Sequence, residues 1–376
     1  MKINFIKLLV ILTFSLVQSC SNGDDFAIDN AAEFEEYLAD EMDFQNIPAM
    51  SVLIFDESQI LLESNLGQSN IQDNNALQPD HLFLLASISK AITATALLQL
   101  SEDNLFSLDD SINDYLPFDV NIPNHSANIT FKMLLTHTSA IADGNALDDQ
   151  YYYGEDSPVE LGSFMESYFI PGGNFYDASD NFYDFEPGTD YEYSNTGNAL
   201  IGLLVEEISG MNFNAYCKQH IFNPLDMTQT YWRLDEINQT IVQPYDYING
   251  DYEEIQHYTF TDYPNGGLRS TSRDLYKFLT AFVNDGLANN YQLLSSKTIN
   301  EMITPQIPNL DNEVGLHLFN LNNENQLWGH DGGEQGVATI MAFNPSTKVG
   351  AIILTNQGDS DLDEILVEAY NLGLNL

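Results

Sequence analysis

The sequence predicts an α+β fold: one antiparallel β-sheet built from N- and C-terminal strands, flanked by helices, with a largely helical subdomain inserted between them. Three observations lead there. Short apolar runs of strand length occur near both ends, "AMSVLIF" and "ILLESNLG" within 49–67 and "VATIMAFNP" and "KVGAIILTN" within 337–356. The long stretch between them carries apolar residues at helical spacing instead. Helical patterns also bracket the strands, one before the first and one after the last.

In chain order, "AAEFEEYLADEM" repeats apolar residues at three- and four-residue intervals and reads as the first helix. The turn "DESQ" joins the first two strands into a hairpin. From near Ser87 onward the helical segments include "TFKMLLTH", "TGNALIGLLVEEISG" (closed by Gly210), "NFNAYCKQHIF" and "TSRDLYKFLTAFVNDG". "NPSTK" turns between the last two strands, and a final helix is expected over about 362–372. Residues 141–191 break the pattern and are rich in Tyr, Phe, Asp and Gly. Their aromatic density points to a packed wall or lid in preference to a disordered loop. The expected domain covers 31–376, with the sheet part at 31–85 and 300–376 and the helical part at 86–299. A cleft between the two parts is the natural place for a site.

Ahead of that domain, Lys2 and Lys7 precede an apolar stretch, Leu8–Val17, that is short for a membrane span. Residues 1–19 resemble a bacterial lipoprotein signal peptide. Cys20 would be the lipid attachment point, and 20–30 an acidic tether beginning "SNGDD" after the cysteine. The resemblance implies a lipid anchor in the cell envelope, at the outer membrane. Cys217 is then the one remaining thiol, so no disulfide is expected within the mature chain, and its helical context marks it as a core residue.

The chain holds 56 acidic and 11 basic residues, a formal charge of −45, and the expected leader contains no acidic residue and two of the lysines. Such a field repels phosphate and argues against nucleic acid as a partner. A solvated acidic surface accounts for it. The hydrophobic fraction of 44% is ample for a large core, and a monomer is expected.

Three stretches hold residues fit for chemistry. In "HLFLLASISKAITATALLQL", Ser87 and Lys90 are three apart, so on a helix they share a face. A lysine among apolar residues loses hydration, its pKa falls, and a neutral amine beside a hydroxyl can act as a base. A snorkelling lysine is the alternative. In "FEPGTDYEYSNTGNALIGLL", Tyr193 is a candidate proton shuttle if the charge of Lys90 lowers its pKa, and Asn195 offers an amide to the substrate or to Lys90. A core tyrosine with a capping asparagine reads the same way. In "LWGHDGGEQGVATIMAF", His330 and Gly332-Gly333 precede an expected strand. The small residues allow close approach of a substrate, and the Gly333 N–H could join that of Ser87 in an oxyanion hole. A glycine-rich turn with a surface histidine is the bland alternative.

Together and in this order, the three stretches resemble the S-x-x-K, Y-x-N and K-T-G signature of serine β-lactamases and penicillin-binding proteins, with His330 in place of the third-motif lysine. The resemblance is to the branch of class C β-lactamases, D-alanyl-D-alanine carboxypeptidases, D-aminopeptidases and related esterases. It extends from about 31 to 370 through "NIPAMSVLIF", "LFSLDDSINDYLP", "FKMLLTHTSAI", "IFNPLDM", "GGLRSTSRDLYKF", "LLSSKTINEMITPQ" and "VGAIILTNQG". It implies Ser87 as acylated nucleophile, Lys90 and Tyr193 as the general base pair, Ser87 and Gly333 N–H groups as oxyanion hole, and Asn195, His330 and Gly332 as substrate-binding residues. No cofactor or metal is implied. The implied substrates are small esters, amides or peptides; a peptidoglycan-directed D-alanyl-D-alanine carboxypeptidase or D-aminopeptidase is the alternative within the enzyme reading, and a non-catalytic surface binding protein of the same fold is the rival to it.

Ala140 stands where relatives often have glycine after "LLTHTS", and "DHLFLLAS" replaces a common Thr-x-Phe. The exchange of lysine for His330 weakens the expected grip on anionic β-lactams, so neutral or amine-bearing esters and D-amino-acid amides are the better expected substrates. The acidic residues Asp177, Asp180 and Asp184 could hold Ca²⁺ but lack an EF-hand pattern. H-E-x-x-H, G-x-S-x-G, G-x-G-x-x-G and P-loop patterns are missing.

Overall fold

The computed structural model describes residues 28–376. The expected leader 1–19, Cys20 and most of the tether 20–30 lie outside the described residues.

Helix α1 (Ala31–Gln45) begins at Asn30, whose side chain accepts the N–H groups of Ala32 and Glu33. It leads into strands β1 (Ala49–Phe55), β2 (Ile60–Asn70) and β3 (Asn75–Ala76). The middle of the chain supplies α2 (Ser89–Glu102), α3 (Asn195–Ser209) and α4 (Ser272–Val283). Strands β4 (Phe319–Asn322), β5 (Leu327–Glu334), β6 (Val337–Phe343) and β7 (Gly350–Thr355) precede helix α5 (Asp363–Gly373). The seven strands form one sheet in the order β4-β5-β6-β7-β1-β2-β3. The ends of the chain meet in its centre, where β1 and β7 pair antiparallel with Val52 opposite Ile353.

Strand period explains why both faces are covered. Met50, Val52, Ile54, Ile340 and Ile353 point to one side and pack on Phe34 and Leu38 of α1 and on Ile365 and Leu366 of α5. Leu53, Phe55, Met341, Phe343, Ile352 and Leu354 point to the other side and join the larger core with Ile92 and Leu97 of α2. Each fully buried side chain of this size contributes about 1.5–3 kcal/mol. Helix α2 is buried nearly all round, which is why its sequence lacks a polar face.

The middle segment is less purely helical than its sequence suggests. Short strand pairs join Phe83–Leu84 to Arg269–Ser270, Tyr151–Tyr153 to Tyr258–Phe260 and Tyr245–Ile248 to Asp251–Glu254. Two of these join residues far apart in the chain, so no local pattern announces them. The segment 141–191 is a packed wall: it contains a helix, Leu161–Phe169, and buries Phe164, Tyr168, Phe169 and Phe182. Its acidic residues have separate partners. Asp177 accepts from Ser179, Asp180 from Asn145, and Asp184 faces His125. Ala140 has φ 62°, a left-handed conformation that suits the glycine expected there.

Ile353 lies at the centre of the sheet with no exposure. Ile353→Ala is expected to cost about 2–5 kcal/mol, read as a fall of several degrees in Tm by circular dichroism.

Candidate active site

The chain enters the site along Leu82–Leu85, held by the pairing of Phe83 with Ser270 and by the Leu85 N–H on the Leu268 carbonyl at 2.8 Å. Ala86 then adopts φ 49°, a left-handed conformation costing a residue with a Cβ about 1–3 kcal/mol. The turn Ala86–Ile88 is 3₁₀, and the α-helix starts at Ser89, two residues later than expected. Ser87 therefore projects from a tight turn at a helix start, where its N–H has no intrahelical acceptor.

Lys90, one turn on, is fully buried. Its amine contacts Asn195 Oδ1 at 2.7 Å, the Asn265 carbonyl at 2.8 Å and Ser87 Oγ at 3.0 Å. Burial pushes its pKa down to about 7, against the pull of Asp143, Asp262, Glu334 and Asp331. A neutral amine has two N–H groups and one lone pair. The carbonyl and the amide oxygen only accept, so they take the two N–H groups, and the lone pair is left for the Ser87 hydroxyl.

Asn195 is fixed by Asp143, which accepts its side-chain Nδ2 at 2.9 Å and backbone N–H at 3.0 Å. Asp143 also accepts from the Thr196 N–H and hydroxyl, at 2.8 and 2.9 Å, and so sits on the N-terminus of α3 where unpaired N–H groups favour an anion. Helix α3 is capped by Ser194, which accepts the Gly197 N–H at 2.8 Å, and is closed by Gly210 at φ 68°.

Tyr193 precedes that cap, with Lys90 Nζ 4.9 Å from its ring centroid. The expected lowering of its pKa by Lys90 does not occur. Burial raises it well above the ordinary phenol value and outweighs the neighbouring Ser87 hydroxyl, which lowers it. The reason is the amine itself: a lysine that loses its proton near pH 7 carries no charge at the pH where a phenol ionises. Tyr193 is therefore a protonated acid at rest. His137 stacks on its ring at 4.3 Å and accepts the Ser194 N–H through Nδ1 at 3.1 Å.

The third stretch is itself the end of β5 and leads directly into β6, the strand expected after it. Gly332 faces the nucleophile turn: a Cβ there would lie 2.6 Å from the Leu85 carbonyl and 2.9 Å from the Ser87 nitrogen. Its small size thus serves backbone packing. Gly333 lies on the cleft, where a Cβ would meet nothing within 4 Å. His330 is buried, and its Nδ1 donates to the Asp331 carbonyl at 2.5 Å. Burial, aided by Lys90, pushes its pKa down to about 4, so it is neutral at pH 7. The structure places His330 and Gly332 behind the cleft wall, not on its lining.

The cleft has a volume of about 200 Å³ and is lined by Ser87, Tyr193, Asn195, Asn265 and Gly333 together with Tyr151, Phe260, Asp262 and Glu334. Asp143, Asn265, Asp262 and Glu334 escaped the sequence reading. Of these only Asn265 had a signal, the turn-forming "YPNGG".

The sequence matches the β-lactamase family over residues 34–372. The chain belongs to that family. It is similar to Protein flp of Staphylococcus aureus, 21% identical over 353 residues, which span 91% of this chain and 66% of that protein. It thus spans just under two thirds of the length of that relative. A penicillin-binding protein of Bacillus subtilis is 24% identical, over 85% of this chain and 70% of the relative. Among solved structures, the octameric penicillin-binding protein homologue from Pyrococcus abyssi superposes with a TM-score of 0.73 at 22% identity, covering 91% of this chain and 76% of that one. The large antiparallel sheet with helices matches that fold. Membership of the β-lactamase family supports serine hydrolase activity in general terms.

The position of Lys90 sets a pH dependence. With neutral Lys90 as the base for Ser87, fluorophosphonate labelling is expected to rise about tenfold per pH unit below pH 7 and to level off above. A rise continuing to pH 10 in rapid-labelling kinetics would contradict the buried amine.

Proposed function

We propose that the protein is a serine hydrolase acting through an acyl-enzyme on Ser87, with ester or amide substrates of the esterase or D-amino-acid peptidase type and weak turnover of β-lactams. The observation that carries this reading is the contact of Lys90 Nζ with Ser87 Oγ at 3.0 Å while two acceptor-only oxygens lie within reach of both hydrogens of the neutral amine. Neutral Lys90 takes the Ser87 proton as Oγ attacks the substrate carbonyl. The N–H groups of Ser87 and Gly333 stabilise the oxyanion. Tyr193 gives its proton to the leaving group and is reprotonated from Lys90, so the amine is neutral again before water enters to release the acyl group.

Weak β-lactam turnover is supported by the lining of the cleft. Beyond the catalytic turn it carries Asp262 and Glu334, with no lysine or arginine to meet a substrate carboxylate, and His330 is neutral and set back. On one purified sample, p-nitrophenyl esters and D-Ala-p-nitroanilide should turn over faster than nitrocefin. Efficient nitrocefin hydrolysis would refute this order.

We also propose that Cys20 carries a lipid that holds the chain in the cell envelope, on the strength of Lys2, Lys7 and the apolar stretch before it. Metabolic labelling with palmitate should be lost in Cys20→Ser.

Ser87→Ala should abolish fluorophosphonate labelling and hydrolysis. Tyr193→Phe should lower kcat by about 10²–10⁴-fold with KM nearly unchanged. A protein that neither labels nor hydrolyses any of these compounds would be the non-catalytic binder instead.

A further inference from the structure

We infer that His137 is a positioning residue for Tyr193: its ring nitrogen, its carbonyl and its aromatic face clamp residues 192–194 and so aim the phenol. The inference rests on the hydrolase reading for what Tyr193 does, but not for how it is held.

Residues 191–194 belong to no helix or strand, so no regular ladder holds the backbone of Tyr193. His137 takes that place. It is 1% exposed and follows the short helix Phe131–Leu135. Its carbonyl accepts the Glu192 N–H at 2.9 Å, and its Nδ1 accepts the Ser194 N–H at 3.1 Å. One residue thus holds the chain on both sides of Tyr193, and its imidazole stacks on the phenol ring with centroids 4.3 Å apart. The imidazole is itself packed against His317, edge-on at 4.6 Å, and Phe319, stacked at 6.1 Å. The backbone of His137 is left-handed, with φ 54°, a conformation that a residue with a Cβ keeps only where its surroundings enforce it.

The bond from Ser194 fixes the state of the ring. A backbone N–H only donates, so Nδ1 presents a lone pair and the proton of the neutral ring sits on Nε2. A second proton, on Nδ1, would set two donors against each other and open the clamp. Burial, with Lys90 and His330 adding to it, lowers the pKa well below the ordinary histidine value and keeps the ring neutral. Nε2 has no hydrogen-bond partner among the described residues, so the polar contact this ring makes is the one to the Tyr193 segment. A proton donor displaced by about 1 Å can lose about 10²-fold in rate. A clamp on the backbone beside the phenol therefore bears on the step in which Tyr193 gives up its proton.

The test uses leaving groups. D-Alanine p-nitrophenyl ester and D-Ala-p-nitroanilide carry the same acyl group, but p-nitrophenolate leaves without a proton and the anilide nitrogen needs one. Tyr193→Phe should slow the anilide at least about tenfold more than the ester. His137→Phe, which keeps an aromatic ring and removes the acceptor, should show the same selective loss in kcat with KM nearly unchanged. His137→Asn, whose Oδ1 can take the place of Nδ1, should recover most of the anilide rate. A loss in H137F that is equal for both substrates, or no loss, overturns the clamp, and so does an H137N protein as selective as H137F. ¹⁵N NMR of histidine-labelled wild-type protein is a second measurement that needs neither the folding of a variant nor turnover. At pH 7 the His137 ring, identified by its proximity to the Ser194 amide, should carry its proton on Nε2 alone, and a proton on Nδ1 overturns the clamp. Should Y193F show no preference between leaving groups, or neither compound turn over, the acid role of Tyr193 falls and the tautomer alone decides the clamp.

Discussion

The site depends on an amine taken out of water. Lys90 sits at the start of a helix most of whose side chains are buried, and burial strips its amine of hydration. Four carboxylates act on it from a distance, and without them its pKa would fall further. The balance leaves the amine near neutrality at physiological pH. A neutral amine then needs its lone pair aimed, and two acceptor-only oxygens do that by occupying its N–H groups. Asn195 and the Asn265 carbonyl thus set the direction in which the amine faces Ser87.

That arrangement has structural costs that the rest of the fold absorbs. The left-handed Ala86 is held by hydrogen bonds to Leu85 on both sides, one from its N–H to Leu268 and one to its carbonyl from the Thr339 hydroxyl at 2.8 Å. Strand β5 can come close enough to support this turn because position 332 has no side chain. Asp143 pins Asn195 through the N-terminus of α3, where the helix end supplies the donors that an anion needs. The sheet centre, formed by the two ends of the chain, gives these elements a common rigid support.

Tyr193 and the histidines behind it show how one buried group sets the state of another. His137, His317 and His330 lie together, and burial lowers the pKa of each. His137 stacks on Tyr193, His317 meets His137 edge-on at 4.6 Å, and His330 stands beyond Tyr193 at 6.4 Å. Neutral rings pack where charged ones would have to be hydrated. They leave the phenol in an apolar setting, which keeps it protonated until a proton is demanded of it.

The sequence alone determined the fold class, the terminal strands and the spacing of Ser87 and Lys90, because hydrophobic period and an i, i+3 separation are local properties. Tyr193 and Asn195 were legible for the same reason, next to a helix start with a recognisable cap. The sequence did not show that His330 is buried, that Gly332 packs on the nucleophile turn, or that burial raises the pKa of Tyr193. It was silent on Asp143, Asp262, Asn265 and Glu334. Those gaps share a cause. Burial, the aim of a lone pair and the proximity of carboxylates 143, 262 and 334 are fixed only when segments far apart in the chain are brought together, and the energies involved depend on the water removed in doing so.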